Sequence, residues 1–169
     1  MKLPKTKIYN SLEAKSIIFD YKNKGKKVVF SNGCFDIIHK GHKTYLNAAR
    51  ELGDFLIIGL NSDSSVRELK GSNRPVIDQN NRANNLLKLD CVDAVTIFNE
   101  DTPEKLINDL SPDLIVKGGD YKPEEVIGAD YVQSYGGEVI ILPFVPGYSS
   151  TNIIMRMQGK DLTEGESSN

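Results

Sequence analysis

The chain has 169 residues, 39% of them hydrophobic, with 21 basic and 23 acidic side chains and a net charge of −2. This is enough apolar material for the core of one ordinary domain, and the near-neutral balance excludes the basic surface of a dedicated nucleic-acid binder. No apolar run approaches the roughly 20 residues of a membrane helix, residues 1–20 lack the apolar stretch of a signal peptide, and two cysteines, Cys34 and Cys91, cannot build a disulfide framework, so a reduced cytoplasmic protein is expected.

The first element predicted is a helix. Asn10 and Glu13 have the spacing of a capping box, apolar residues follow at Leu12, Ala14, Ile17, Ile18 and Tyr21, and Gly25 ends the run. Residues 27–31 predict a short buried strand, with Asn32-Gly33 as a loop. A second helix is expected from His39 to Leu52, capped by Gly53. Residues 54–60 are apolar at nearly every position, the pattern of a strand buried on both faces of a parallel sheet. A helix over 80–89 and a strand over 94–98 follow. Thr102 as N-cap and Pro103 as first residue open another helix. Strand 113–116, helix 126–135 ended by Gly136-Gly137, strand 138–142 and a last helix over 149–157 complete the series. Residues from Gly159 on are small and polar and are expected to form a disordered tail, leaving 1–158 as a single domain. Alternating strands and helices with short connections predict a Rossmann-like α/β fold. Its expected form is a doubly wound, parallel five-stranded sheet with helices on both faces and right-handed crossovers.

In such a sheet ligands bind at the carboxyl ends of the strands. Both histidines of the chain, His39 and His42, fall where the first predicted strand turns into a helix. At i, i+3 they share one face of the first turn, and Gly41 between them keeps that face open. Free N–H groups at a helix N-terminus together with two imidazoles suit a polyphosphate. A zinc site is the alternative from these residues alone, with Cys34 and Asp36 as further ligands. Neither G-x-x-x-x-G-K-[ST] nor G-x-G-x-x-G occurs.

Gly33-Cys34-Phe35-Asp36 followed by His39-Lys40-Gly41-His42 resembles the HxGH signature of the cytidylyltransferase-like nucleotidyltransferases. Ser149-Ser150-Thr151-Asn152-Ile153 resembles their second signature, which opens the last helix. Asn61-Ser62-Asp63, Lys70-Gly71, Arg74-Pro75, Arg82-Ala83, Lys117 to Pro123 and Leu142 to Gly147 are similar to the heptose 1-phosphate adenylyltransferase branch, in its stand-alone form. The resemblance covers about residues 10–157. It implies transfer of AMP from ATP to D-glycero-D-manno-heptose 1-phosphate, with Mg²⁺ accompanying the triphosphate. Cytidylyl transfer to glycerol 3-phosphate or a related phosphate is the competing reading.

By this resemblance His39, His42 and Lys70 are the expected catalytic residues. Asn32, Gly33, Cys34, Phe35 and Gly41 line the nucleotide site, and Arg82, opening a helix, is an expected phosphate clamp. Lys117, Gly119, Asp120 and Tyr121 shape the base or sugar pocket. Ser149, Ser150 and Thr151 hold phosphates at the last helix. Asp36 is a candidate to orient a histidine or contact magnesium. Lys70 is expected in the loop after the second strand. No nucleic acid or membrane partner is expected, and a homodimer is.

Overall fold

In the computed structural model the described residues are 8–119 and 121–143. Six parallel strands form one sheet: β1 (Ile8–Tyr9), β2 (Val28–Gly33), β3 (Phe55–Asn61), β4 (Ala94–Phe98), β5 (Leu114–Gly118) and β6 (Glu138–Leu142). Their spatial order is β1-β4-β3-β2-β5-β6. The sheet therefore has six strands, not the expected five. The missed strand, β1, is two residues long and pairs Ile8 with Val95 and Tyr9 with Thr96. Two residues carry no periodicity, so nothing local marks them.

The helices are α1 (Ser11–Asn23), α2 (Lys40–Glu51), α3 (Asp63–Lys70), α4 (Gln79–Leu87), α5 (Glu104–Leu110) and α6 (Ala129–Ser134). They divide into two layers because successive strand residues point to opposite faces. Phe30, Phe55 and Ile57 pack with Ala14 and Ile18 of α1, Ile107 of α5 and Val132 of α6. Val29, Leu56 and Ile58 pack with Leu46 and Ala49 of α2 and with Ala83 and Leu86 of α4. All seven residues of β3 are buried, as expected for a central strand of a doubly covered sheet.

Local signals act much as expected at α1. Asn10 Oδ1 accepts from the Glu13 N–H and Glu13 Oε1 from the Asn10 N–H, at 2.8 and 3.1 Å. Gly25, at φ 72°, follows the helix. Elsewhere the boundaries move. Pro103 is the N-cap of α5, although Thr102 Oγ1 still accepts the Glu104 N–H at 3.4 Å. The expected helix over 126–135 shortens to α6, preceded by a 3₁₀ turn at Pro123–Glu125. Helix α3 was expected as loop. Its one fully buried apolar residue, Val66, gives no stripe, and its signal is the cap, with Ser62 Oγ accepting the Ser65 N–H. Lys70 accordingly stands at a helix end. The predicted helix over 149–157 and the tail from Gly159 lie outside the described residues.

The chain fills β2, β3 and β4 to one side, then crosses back to place β5 on the other side of β2. The crevice between the carboxyl ends of β2 and β5 is thus the topological switch point. Gly53, expected as a helix cap, is needed for a different reason. A Cβ there would sit 2.7 Å from Val29 Cγ2 and 2.8 Å from the Lys27 carbonyl oxygen. Gly53→Ala is therefore expected to lower the urea midpoint, by about 1–3 kcal/mol of stability, with the m-value unchanged.

Candidate active site

The chain leaves β2 at Gly33 and reaches α2 through a six-residue turn containing Phe35, which is held at φ 46°. A non-glycine residue in this region is strained, but its ring is wholly buried and packs 5.1 Å, centroid to centroid, from the His42 ring. His39 is the N-cap of α2 in an extended conformation. Its Nδ1 accepts the His42 N–H at 3.2 Å, and His42 Nδ1 accepts the His39 N–H at 3.4 Å. The two histidines thus form a capping box with each other, in place of the usual Ser/Thr and Glu/Gln pair. Their rings stack at 3.7 Å with 16° between planes.

This geometry sets the tautomer. A ring nitrogen that accepts a backbone N–H carries no hydrogen, so in the neutral rings Nε2 is the protonated, donating atom of both histidines. Burial pushes the His39 pKa below its ordinary value, which favours the same neutral form. Gly41 is buried in the same turn. Tyr45, one turn further on, ties α2 across the switch point. Its hydroxyl is hydrogen-bonded to Ser31 Oγ on β2 and donates to the Val116 carbonyl of β5 at 2.8 Å. Burial raises the pKa of that hydroxyl, keeping it a donor.

A cavity of about 390 Å³ opens beside these elements at the carboxyl edge. Asn32, Gly33 and Cys34 line it from β2 and the turn after it, Asn61 from β3, Lys70 from α3 and Lys117 from β5. Tyr121 and Glu125–Ile127 close one side, and Asp101–Pro103 of the β4–α5 connection another. The cavity lies toward the α1/α5/α6 layer, to which Val126 belongs, whereas the histidines start a helix of the opposite layer. His39 and His42 are not among its lining residues, so the site spans the strand ends between the two layers. Lys117 is pushed below its usual pKa, first by burial and then by the positive charge of Lys70. Its ammonium also lies 5.7 Å from the Tyr121 ring centroid. The Cys34 thiol is pushed up by burial, although Lys70, Arg82 and Arg74 oppose the shift. That is the state of a packed thiol and not of a nucleophile.

Two arginines hold the walls, and one of them corrects an expectation. Arg82 is fully buried. Its Nε donates to the Ile77 carbonyl, Nη1 to the Cys34 and Asn61 carbonyls, and Nη2 to Asp63 Oδ1, each at 2.8 Å. With four donors directed at protein acceptors, Arg82 is a brace for the cavity wall and not the expected phosphate clamp. Asp36 is likewise buried. It accepts from Arg74 Nε at 2.9 Å and from the Val76 and Ile77 N–H groups. It anchors the α3–α4 connection and orients neither histidine through any of these bonds. Among the described residues no group of three His, Cys, Asp or Glu side chains could hold a metal ion. The zinc alternative and a direct magnesium contact at Asp36 therefore have no donor set there.

Of the predicted residues, Asn32, Gly33, Cys34, Lys70, Lys117 and Tyr121 meet at the cavity. Gly119, at φ 114°, donates its N–H to the Leu142 carbonyl and aligns the end of β5 with that of β6. Asp120, Ser149, Ser150 and Thr151 lie outside the described residues. Sequence reasoning missed the contributions of Asn61, Asp101, Thr102 and Glu125. For Asn61 the available signal was its place at the carboxyl end of a buried strand.

The comparisons with known proteins agree with this geometry. The family described as Cytidylyltransferase-like matches residues 30–156. Bifunctional protein HldE of Trichlorobacter lovleyi is 55% identical over 152 residues, covering 90% of this chain and 31% of that protein. HldE of Geobacter metallireducens is 56% identical over 148 residues, covering 88% and 30%. The chain thus spans about a third of the length of the curated relatives it matches. Among solved structures, a lipopolysaccharide core biosynthesis protein from Thermoplasma volcanium superposes with a TM-score of 0.59 at 28% identity, covering 72% of this chain and 98% of that one. A pantoate–β-alanine ligase from Francisella tularensis gives a TM-score of 0.57 at 14% identity, covering 88% and 75%, which shows the shared fold alone. No described helix is long and apolar enough to cross a membrane. A parallel sheet whose switch point carries a paired-histidine cap beside a lysine-lined cavity, matched over residues 30–156, places the chain in the cytidylyltransferase-like family of nucleotidyltransferases.

Proposed function

We propose that the protein transfers AMP from ATP to D-glycero-D-manno-heptose 1-phosphate, giving ADP-heptose and pyrophosphate. The observation that carries the reading is the reciprocal histidine cap, which occupies both Nδ1 atoms and makes both Nε2 atoms donors at the switch point. The heptose assignment is supported by the resemblance of Lys70-Gly71, Arg74-Pro75 and Lys117 to Pro123 to that branch. The similarity to HldE proteins and to a protein named for lipopolysaccharide core biosynthesis supports it further.

The acceptor is already an anionic phosphate, so no strong base is required. One of its oxygens attacks the α-phosphorus in line and forms the new P–O bond. The bond from the α-phosphorus to the bridging oxygen breaks, and its electron pair leaves with pyrophosphate. His39 and His42 donate from Nε2 to the triphosphate as charge builds on the leaving group. Lys70 and Lys117, on the other side of the strand ends, draw the two anionic substrates together against their mutual repulsion. Magnesium belongs with the triphosphate in this reading, held by phosphate oxygens and water. The described residues offer it no cage of three or more His, Cys, Asp or Glu side chains. The phosphate contacts expected of Ser149, Ser150 and Thr151 and the pocket role of Asp120 remain part of the proposal.

Pyrophosphate release measured with ATP or CTP against a panel of sugar and polyol phosphates tests the reaction. Turnover is expected with ATP and the heptose phosphate, and turnover with CTP alone overturns the adenylyl assignment. His42→Ala is expected to lower kcat by about 10²–10³, and an unchanged kcat would sink the mechanism. A third expectation concerns pH. Because burial lowers the His39 pKa in the folded state, its contribution to stability is complete above the unfolded value of about 6.5. The contribution falls as pH drops from there toward the folded value, by at most about 1.4 kcal/mol per unit. Urea midpoints followed from pH 8 to pH 5 should show a steeper acid loss for the parent protein than for His39→Asn, which caps without titrating.

A further inference from the structure

The cavity has two chemically different parts. Lys70 and Lys117 are cationic and sit at the ends of α3 and β5. Asp101 and Thr102, on the β4–α5 connection, and Glu125, after β5, supply carboxylates and a hydroxyl. Among the described residues no group is hydrogen-bonded to or ion-paired with the side chains of Asp101 and Glu125, and both are exposed. Asn61, at the end of β3, also lines the cavity and is only 4% exposed. Its Nδ2 donates to Ser65 Oγ at 2.9 Å, which fixes the amide and makes Oδ1 the acceptor available to a cavity ligand. Past Val126 a second groove of about 280 Å³ continues between α5 and α6, lined by Glu104, Asn108, Glu124 and Asp130.

A carboxylate wall repels a phosphate and accepts from hydroxyls. The transferred nucleotide and the acceptor both bring their phosphates to the lysines, so the acidic wall faces a part of a substrate that is rich in donors and carries no negative charge. The nucleotide offers two ribose hydroxyls and the groups of its base, whereas the acceptor sugar has a hydroxyl on almost every carbon. We infer that Asp101 and Glu125, with Thr102 and Asn61, read the hydroxyls of the acceptor, and that the second groove gives room for a long polyhydroxylated chain in preference to a three-carbon one. The assignment rests on the transfer reaction proposed above and adds the residues that select its acceptor. These residues determine specificity and take no part in the bond changes at phosphorus.

The test compares the full chain with Asp101→Asn and Glu125→Gln, both conservative changes at exposed positions. Initial rates of pyrophosphate release are measured against six- and seven-carbon sugar 1-phosphates and glycerol 3-phosphate. For each variant the KM of the sugar phosphate is expected to rise on the order of tenfold, with the KM of ATP unchanged. The parent protein is expected to prefer the longer sugar phosphates over glycerol 3-phosphate, and this preference should shrink in the variants. An unchanged acceptor KM in both variants overturns the inference and leaves the transfer reaction standing. An ATP KM that rises as much as the acceptor KM also overturns it, because the wall would then face the nucleotide. No release by the parent protein with any sugar phosphate overturns the transfer reaction itself.

Discussion

The carboxyl edge of this sheet depends on one guanidinium that never meets solvent. Arg82 reaches from α4 to the carbonyls of Cys34 and Asn61, which follow or end two neighbouring central strands, and to Asp63 at the start of α3. These carbonyls lie beyond the last rungs of the ladder, where a parallel sheet leaves backbone acceptors that need partners. A buried charge needs hydrogen-bond partners, and here four of the five N–H donors meet protein acceptors. Asp36 and Arg74 form a second buried ion pair on the neighbouring connection. The cavity walls are therefore held by ionic groups beneath them, and the residues that face the cavity are left to the ligand.

The histidine cap is positioned by the same logic. Tyr45 fixes α2 to β2 and β5, Phe35 accepts a strained backbone to bring its ring under His42, and the two imidazoles satisfy each other's backbone N–H groups. A helix start normally uses a short polar side chain for this. Imidazole performs the same capping with one nitrogen and still has a second nitrogen to donate. The element that starts the helix thereby also presents hydrogen-bond donors at the switch point.

Much of this was legible in the sequence. The alternation of apolar strands with capped helices gave the layered parallel fold, and the spacing of two rare histidines after a strand located the switch point. What escaped was long-range. Arg82 reads as a helix-surface residue because its acceptors come from 5, 19, 21 and 48 positions away, and only folding assembles them. Asp36 reads as a turn former or metal contact for the same reason. Helix α3 lacks an apolar stripe because a short helix at the sheet's edge buries little, and β1 is too short to show alternation. Asp101 and Glu125 sit in connections whose composition is that of any surface loop.

Burial is the first cause that holds the Lys117 pKa below its usual value, and the positive charge of Lys70 adds to the shift. Two like charges on one cavity wall favour an anion over a neutral ligand, and the cohesion of the surrounding sheet holds them there. Lys117 belongs to a central strand and Lys70 ends a helix that borders the same cavity, so the charge a ligand meets is positioned by the same packing that builds the core.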